Sequence, residues 1–280
     1  MLYEYSTAAT PSVPDVPIKI FDSSLYAENK TGIFPCIAMN GTTTPNLDAS
    51  FIKILEGDEL AMPLEGTSHV FFVMHGEGKT VNGYDVFNWA EGDLFVVPFF
   101  KRIKHVAYKD TILYYVHDKP MLDYLGVIPS VRKFNAHFFQ FERLMDAMIL
   151  TNNKNNRCGI ILGIPETKDT TKTLTHTMWA LLNKIDPGEI QKPHRHNSVA
   201  LDLCIIAKDK SVYTLIGSEL DSDGNILNPT KVYWKSGTMF ITPPGLWHSH
   251  HNESDDEAWV LPIQDAGIHT HMRTLDIIFN

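Results

Sequence analysis

The 280-residue chain has only three cysteines, Cys36, Cys158 and Cys204, far apart and in no CxxC pair. So few and so scattered, they exclude a disulfide framework and favour a reducing compartment. No run of about 18 apolar residues occurs, so no transmembrane helix is expected. The opening MLYEYSTAATPSVPDVPIKI has no basic head leading into an apolar core. It does not read as a secretory signal, and a cytoplasmic protein is expected. Positive charge is in short supply too: 24 Lys and Arg face 33 Asp and Glu, for a net charge of -9. That balance argues against a nucleic-acid partner, which calls for a basic face. The hydrophobic fraction, 44%, is that of an ordinary globular protein. The length leaves room for two modest domains.

What is abundant is the short apolar strand. FIKILEGDEL, HVFFVMHGEG, EGDLFVVPFF and TILYYVHD follow one another closely, broken by Gly and Asp. GIILGI, NSVALDLCIIA, SVYTLIG and GTMFITPP resume the pattern after Cys158. Closely spaced strands with turn signals predict an all-β fold. The Pro-rich start, with Tyr3, Tyr5 and Phe21 as apolar anchors, predicts an extended arm over 1–45. Phe134, Phe138, Phe141, Leu144, Met145 and Met148 recur at helical spacing and predict an amphipathic helix over 135–150. It belongs to a helical linker over 121–157 that ends in the polar loop TNNKNNR. DSDGNILNP reads as a hairpin loop. Cys204, inside LDLCII, reads as a small buried hydrophobe.

Histidines carry the chemistry. His194 and His196 stand two apart in QKPHRHN, so on a strand both imidazoles share a face. The segment GTMFITPPGLWHSHHN punctuates two strands with Gly237, Pro243 and Gly245 before His248. Three imidazoles on rigid strands suit a divalent transition metal and leave positions open for substrate. His250 should share the face of His248, as a proton shuttle or hydrogen-bond donor beside the metal. Trp247 and Trp234 are expected to wall the pocket, with Gln191 also placed toward the substrate. His269 and His271 form a second HxH, expected near an interface or a barrel mouth.

Gly188, His194 and His196 resemble the first cupin motif; Gly237, Pro243, Gly245, His248 and Asn252 resemble the second. The Glu usual in the first motif is missing, with Val199, Ala200 and Leu201 near its place. A three-His set without that Glu resembles the gentisate 1,2-dioxygenase branch of the cupins. EGDELAMPLEG superposes on DPGEIQKPHRH, and EGDLFVVPFFKRIKH on KSGTMFITPPGLWHSH. These pairings match Gly92 with Gly237, Pro98 with Pro243 and His105 with His250. The chain therefore resembles a bicupin: two jelly-roll barrels, a first at 46–120 and a second at 158–280. Opposite His194, His196 and His248 stand Leu64, Gly66 and Ile103. The first barrel is thus expected to have lost its metal, although a site rebuilt from His69 and His105 stays open.

The resemblance implies ferrous iron on His194, His196 and His248, and opening of an electron-rich aromatic ring with dioxygen. It also implies a homodimer or higher homo-oligomer. Where such enzymes carry an Arg six residues after HxH, this chain has Asp202. A carboxylate there is expected to take part in catalysis, to bind substrate and to favour an amino or neutral hydroxyl group over an acid. Two other classes remain open. One is a cupin isomerase or hydrolase using manganese, nickel or zinc as a Lewis acid. The other is a non-enzymatic binding or storage bicupin.

Overall fold

Apolar residues sit at consecutive positions in many strands because both faces of those strands are buried. The structure, a computed structural model, describes residues 1–10, 12–83, 85–151 and 157–280. In the strand Leu94–Ala107, Phe95 and Val97 face a core inside the first half, while Leu94 and Val96 face a second core shared with the other half. The strand Thr111–His117 divides the same way, Leu113 and Tyr115 inward, Tyr114 and Val116 outward. Strict alternation of side chains sorts one apolar run into two cores.

Three sheets result, all antiparallel. In the first half, seven strands between residues 32 and 117, with His137–Phe139 as the eighth, form one sheet. In the second half the order of one sheet is Ile20–Phe21, Thr238–Thr242, Ala200–Ile206, Ala258–Gln264, Trp179–Ile185 and Cys158–Leu162. The other runs Thr230–Tyr233, Val212–Gly217, Trp247–Asn252, Ile190–His196 and Ile277–Phe279. Among the described residues only three α-helices occur, Lys119–Leu125, Phe141–Ile149 and Ala266–Met272. None is long and apolar enough to cross a membrane. The all-β expectation holds.

The largest apolar cluster joins the two halves. Phe51, Val70, Phe72, Tyr114 and Val116 meet Leu182, Leu201, Leu203, Ile241 and Leu261 there. The helix Phe141–Ile149 closes one edge with Leu144 and Met148. It begins six residues later than the periodicity predicts, because Phe138 is drawn into a strand opposite Phe95. The N-terminal segment is also less separate than an arm: Ile20–Phe21 pairs with Thr238–Thr242, and Gly32–Pro35 pairs with Asp48–Ile54. Most of the polar loop TNNKNNR lies outside the described residues, as does Pro11. The segment DSDGNILNP closes through a Leu220–Ile226 bridge, with Asp221 accepting from the Asp223 and Asn225 amides. It is a turn.

Asn252 shows why the second motif ends in Asn. Its amide donates to the carbonyls of Ile185 (3.0 Å), Asp186 (3.2 Å) and Asp256 (2.7 Å), and its oxygen accepts from Ser254 N and Oγ. It thereby ties three chain segments behind the strand Trp247–Asn252. Asn252→Ala leaves buried carbonyls unpaired and is expected to cost on the order of 3 kcal/mol. Denaturant unfolding should show the midpoint falling at unchanged slope. A change within experimental error would mean that water replaces the amide.

Candidate metal centre

The strands Ile190–His196 and Trp247–Asn252 lie side by side, with His194 opposite His248 and Gln191 opposite His250. Residues directly opposite in an antiparallel pair share a face. That register brings four imidazoles to one patch: ring centroids are 4.0 Å apart for His194 and His248, 4.9 Å for His196 and His248, and 5.7 Å for His248 and His250. The turn between Thr238–Thr242 and Trp247–Asn252 is pinned where Gly245 N donates to His196 O at 2.7 Å. Gly245 takes φ +78°, in the left-handed region where glycine is unstrained. One strand's histidines are thus indexed to the other's.

Donor atoms of His194, His248 and His250 all lie within 4.8 Å of one another. His196 packs against His248 at the edge of this group, its Nδ1 2.8 Å from the Ser198 carbonyl. His248 Nδ1 lies 3.1 Å from the Leu246 carbonyl. Burial pushes all four imidazoles down, His250 to about 3. They are therefore neutral at pH 7, the form that ligates metal. Four neutral imidazoles in a buried patch fit a divalent ion, which would take three and leave positions open.

Arg157 stands beside this patch. Its guanidinium lies 3.4 Å from His194 Nδ1, donates to the Lys192 carbonyl at 2.9 Å and stacks 4.7 Å from the Phe279 ring. Burial lowers its pKa, but an Arg stays charged. Sequence reasoning missed it because it ends a polar loop, where an Arg looks like any solvated charge.

The other predicted site residues scatter. Gln191 is buried beside His250, but its amide is locked in a reciprocal pair with Asn183, at 3.0 and 3.1 Å. Trp247 alternates with His248 and so turns to the opposite face, where it meets the Arg195 guanidinium at 5.2 Å. Trp234 is fully buried behind His250, with ring centroids 5.5 Å apart. His269 and His271 lie on the helix Ala266–Met272, where residues two apart diverge, so that HxH is no chelate. In the first half, Leu64 and Ile103 are core residues. A side chain at Gly66 would meet Asp118 Oδ1 at 2.5 Å. His69 is held by the Tyr115 hydroxyl at 2.7 Å and the Gly66 carbonyl at 3.0 Å. His105 binds Thr80 instead.

Asp202 is buried and accepts from the Thr242 hydroxyl at 2.6 Å; no hydrogen bond links it to the imidazoles among the described residues. Burial pushes its carboxyl up from 3.8 to about 7, with the Thr242 bond opposing the shift. The folded chain thus holds this proton more tightly than the unfolded chain does. Its contribution makes stability fall as pH rises from about 4 to 7 and level off above. Asp202→Asn keeps an acceptor for Thr242 and removes the charge. The variant should gain stability relative to the wild type at pH 8 and lose that gain at pH 4, read by denaturant midpoints. Equal differences at both pH values would contradict the assignment.

The fold, two all-β halves joined by a shared core, is that of the solved two-barrel proteins compared below. No family model matches the chain. In sequence it resembles gentisate 1,2-dioxygenase 1 of Aquipseudomonas alcaligenes, 35% identical over 148 residues, which are 50% of this chain and 39% of that one. It also resembles 5-aminosalicylate 1,2-dioxygenase of a Comamonas species, 29% identical over 97 residues, 34% of this chain and 23% of that one. The matches therefore span well under half of each curated relative. In structure it matches salicylate 1,2-dioxygenase from Pseudaminobacter salicylatoxidans with a TM-score of 0.76 at 12% identity, covering 100% of this chain and 92% of that one. Bacillus subtilis oxalate decarboxylase gives a TM-score of 0.57 at 14% identity, covering 87% and 76%.

Proposed function

We propose that the chain is a metal-dependent dioxygenase that opens the ring of a small aromatic acid bearing hydroxyl or amino groups. The observation that carries this reading is a buried, neutral imidazole patch with the Arg157 guanidinium against it. Ferrous iron on His194, His196 and His248 would supply the chemistry that joins dioxygen to an electron-rich ring. Three neutral ligands leave its full double positive charge available for an anionic substrate.

The protein's own part is placement and exclusion. Arg157 is poised for the acid group: a guanidinium pairs with a carboxylate through two parallel hydrogen bonds, which fixes orientation as well as position. This assigns the anionic end to Arg157 and leaves Asp202 to its Thr242 partner. An acid is then not rejected, contrary to what Asp202 alone suggests. The buried position of the patch keeps water from the reacting atoms. The relatives named for gentisate and 5-aminosalicylate support the substrate class, since both names describe hydroxylated aromatic acids with a further hydroxyl or amino group. We read the first half as a structural partner and the working form as a homo-oligomer, with exposed Leu2, Tyr3 and Tyr5 available for contacts.

Oxygen uptake on a panel of hydroxylated and amino-substituted benzoates, with metal analysis of the same sample, tests the proposal. Uptake that depends on iron and yields a ring-opened diacid is expected. Turnover without oxygen, supported equally by zinc, would replace it with Lewis-acid chemistry.

A further inference from the structure

Both halves contain the same buried chain of hydrogen bonds. In the second, Trp234 Nε1 donates to Thr214 Oγ1 at 2.8 Å, and that oxygen lies 2.8 Å from His250 Nδ1. In the first, Trp89 Nε1 donates to Thr80 Oγ1 at 2.9 Å, and that oxygen lies 2.8 Å from His105 Nδ1. All six side chains are buried. The members correspond in the repeat: Trp89 and Trp234 each stand three residues before a matched glycine, and His105 matches His250.

Counting protons settles the direction of each bond. An indole N–H only donates, so the threonine oxygen accepts from it. The threonine has one proton of its own. Among the described residues, Thr214 Oγ1 has no other partner than Trp234 and His250. A buried hydroxyl proton needs an acceptor, and His250 Nδ1 is the one within reach. His250 therefore carries its proton on Nε2.

Two neighbouring histidines, His248 and His196, are set the other way. The Leu246 carbonyl only accepts, so His248 Nδ1 donates and its Nε2 keeps a lone pair. His196 Nδ1 faces the Ser198 carbonyl at 2.8 Å and Ser198 Oγ at 3.1 Å. That hydroxyl spends its proton on Gln264 Oε1 at 2.9 Å, so both groups accept from His196. His194 is set by two contacts of opposite kind, the Lys192 carbonyl, which only accepts, and the Arg157 guanidinium 3.4 Å from its Nδ1, which only donates.

We infer that Thr214, held by Trp234, fixes His250 as the Nε2–H tautomer and so makes it a hydrogen-bond donor to what binds at the site rather than a metal ligand. The inference rests on the metal-dependent reading above and sharpens it. Distance alone groups His250 with His194 and His248; the hydrogen bonds exclude it and admit His196. Thr214 is a positioning residue that acts through His250. The first half shows that the relay needs no metal. There His105 Nε2 is buried without a partner, and no metal-binding group is found among the described residues of that half.

The test is the tautomer itself, read from ring-nitrogen NMR shifts in zinc-loaded protein. In the wild type, His250 should show a protonated Nε2 and a bare Nδ1, with Thr214→Ser unchanged. Thr214→Val should lose that pattern while zinc stays at the wild-type level. In the iron-loaded enzyme, kcat should fall about 10- to 100-fold in Thr214→Val with little change in KM, and Thr214→Ser should restore it. Thr80→Val, in the other half, should alter the His105 signal alone and so controls for packing damage. His250→Ala should retain zinc and His196→Ala should lose it. A protonated Nδ1 on wild-type His250, or zinc lost with His250→Ala but kept with His196→Ala, would overturn the inference. The tautomer and zinc results do not need ring cleavage, so a failure of the dioxygenase reading would be visible separately.

Discussion

Protein loaded with divalent metal is expected to hold one equivalent per chain, and the His194→Ala, His248→Ala double variant none. The loss should be complete because these two rings face each other at 4.0 Å between centroids, the closest pair in the patch. Removing both leaves His196 and His250, and two imidazoles do not hold a divalent ion against buffer. Ring-opening activity should fall to background with the metal. The first half cannot take up the deficit. Its corresponding positions are filled by Leu64 and Ile103, both core residues, and by Gly66, where Asp118 blocks any side chain. Inductively coupled plasma analysis gives the answer directly. Two tightly held equivalents per chain in the wild type, or one left in the double variant, would place a site elsewhere.

The second large effect concerns Arg157. Arg157→Met preserves the bulk against Phe279 and removes the charge. If the guanidinium holds the acid group, KM for a carboxylated ring should rise about 10- to 100-fold, the scale of a lost charge-assisted pair. A ring lacking the acid should bind the variant and the wild type equally. Metal content should not change, since Arg157 contributes no ligand atom. Arg157→Lys should recover part of the loss, because an ammonium supplies charge without the two-pronged geometry. Equal losses on acidic and neutral rings would reduce Arg157 to packing support for His194.

Much of the fold was legible in the chain because strand physics is local. Runs such as LFVV and ILYYV announce strands buried on both faces, and the placing of His194, His196 and His248 on one patch follows from a side-chain period of two with Gly and Pro marking the turns. What failed to show depends on distant partners. Asp202 finds Thr242 forty residues on, and nothing near LDLC reveals that hydroxyl. Trp247 looked like a pocket wall by composition, yet alternation with His248 turns it away. The HxH at His269 and His271 has the same spelling as the one at His194, and only its helix separates the two rings. The helix start moved because Phe138 gained more from strand pairing and a ring cluster than from continuing a helical stripe.

The core shared between the halves bears on what the first half does. Among the described residues, the histidine cluster that could hold a metal ion lies wholly in the second half. The first half nonetheless matters to the second. Here deletion would strip cover from Leu182, Leu201, Leu203, Ile241 and Leu261, all packed against residues of the other half. The outward faces of the first half are therefore constrained by packing against the second, independently of its interior, where Leu64 and Ile103 lie. The first half serves as a wall of that shared core, held in place by the surface it presents to its twin.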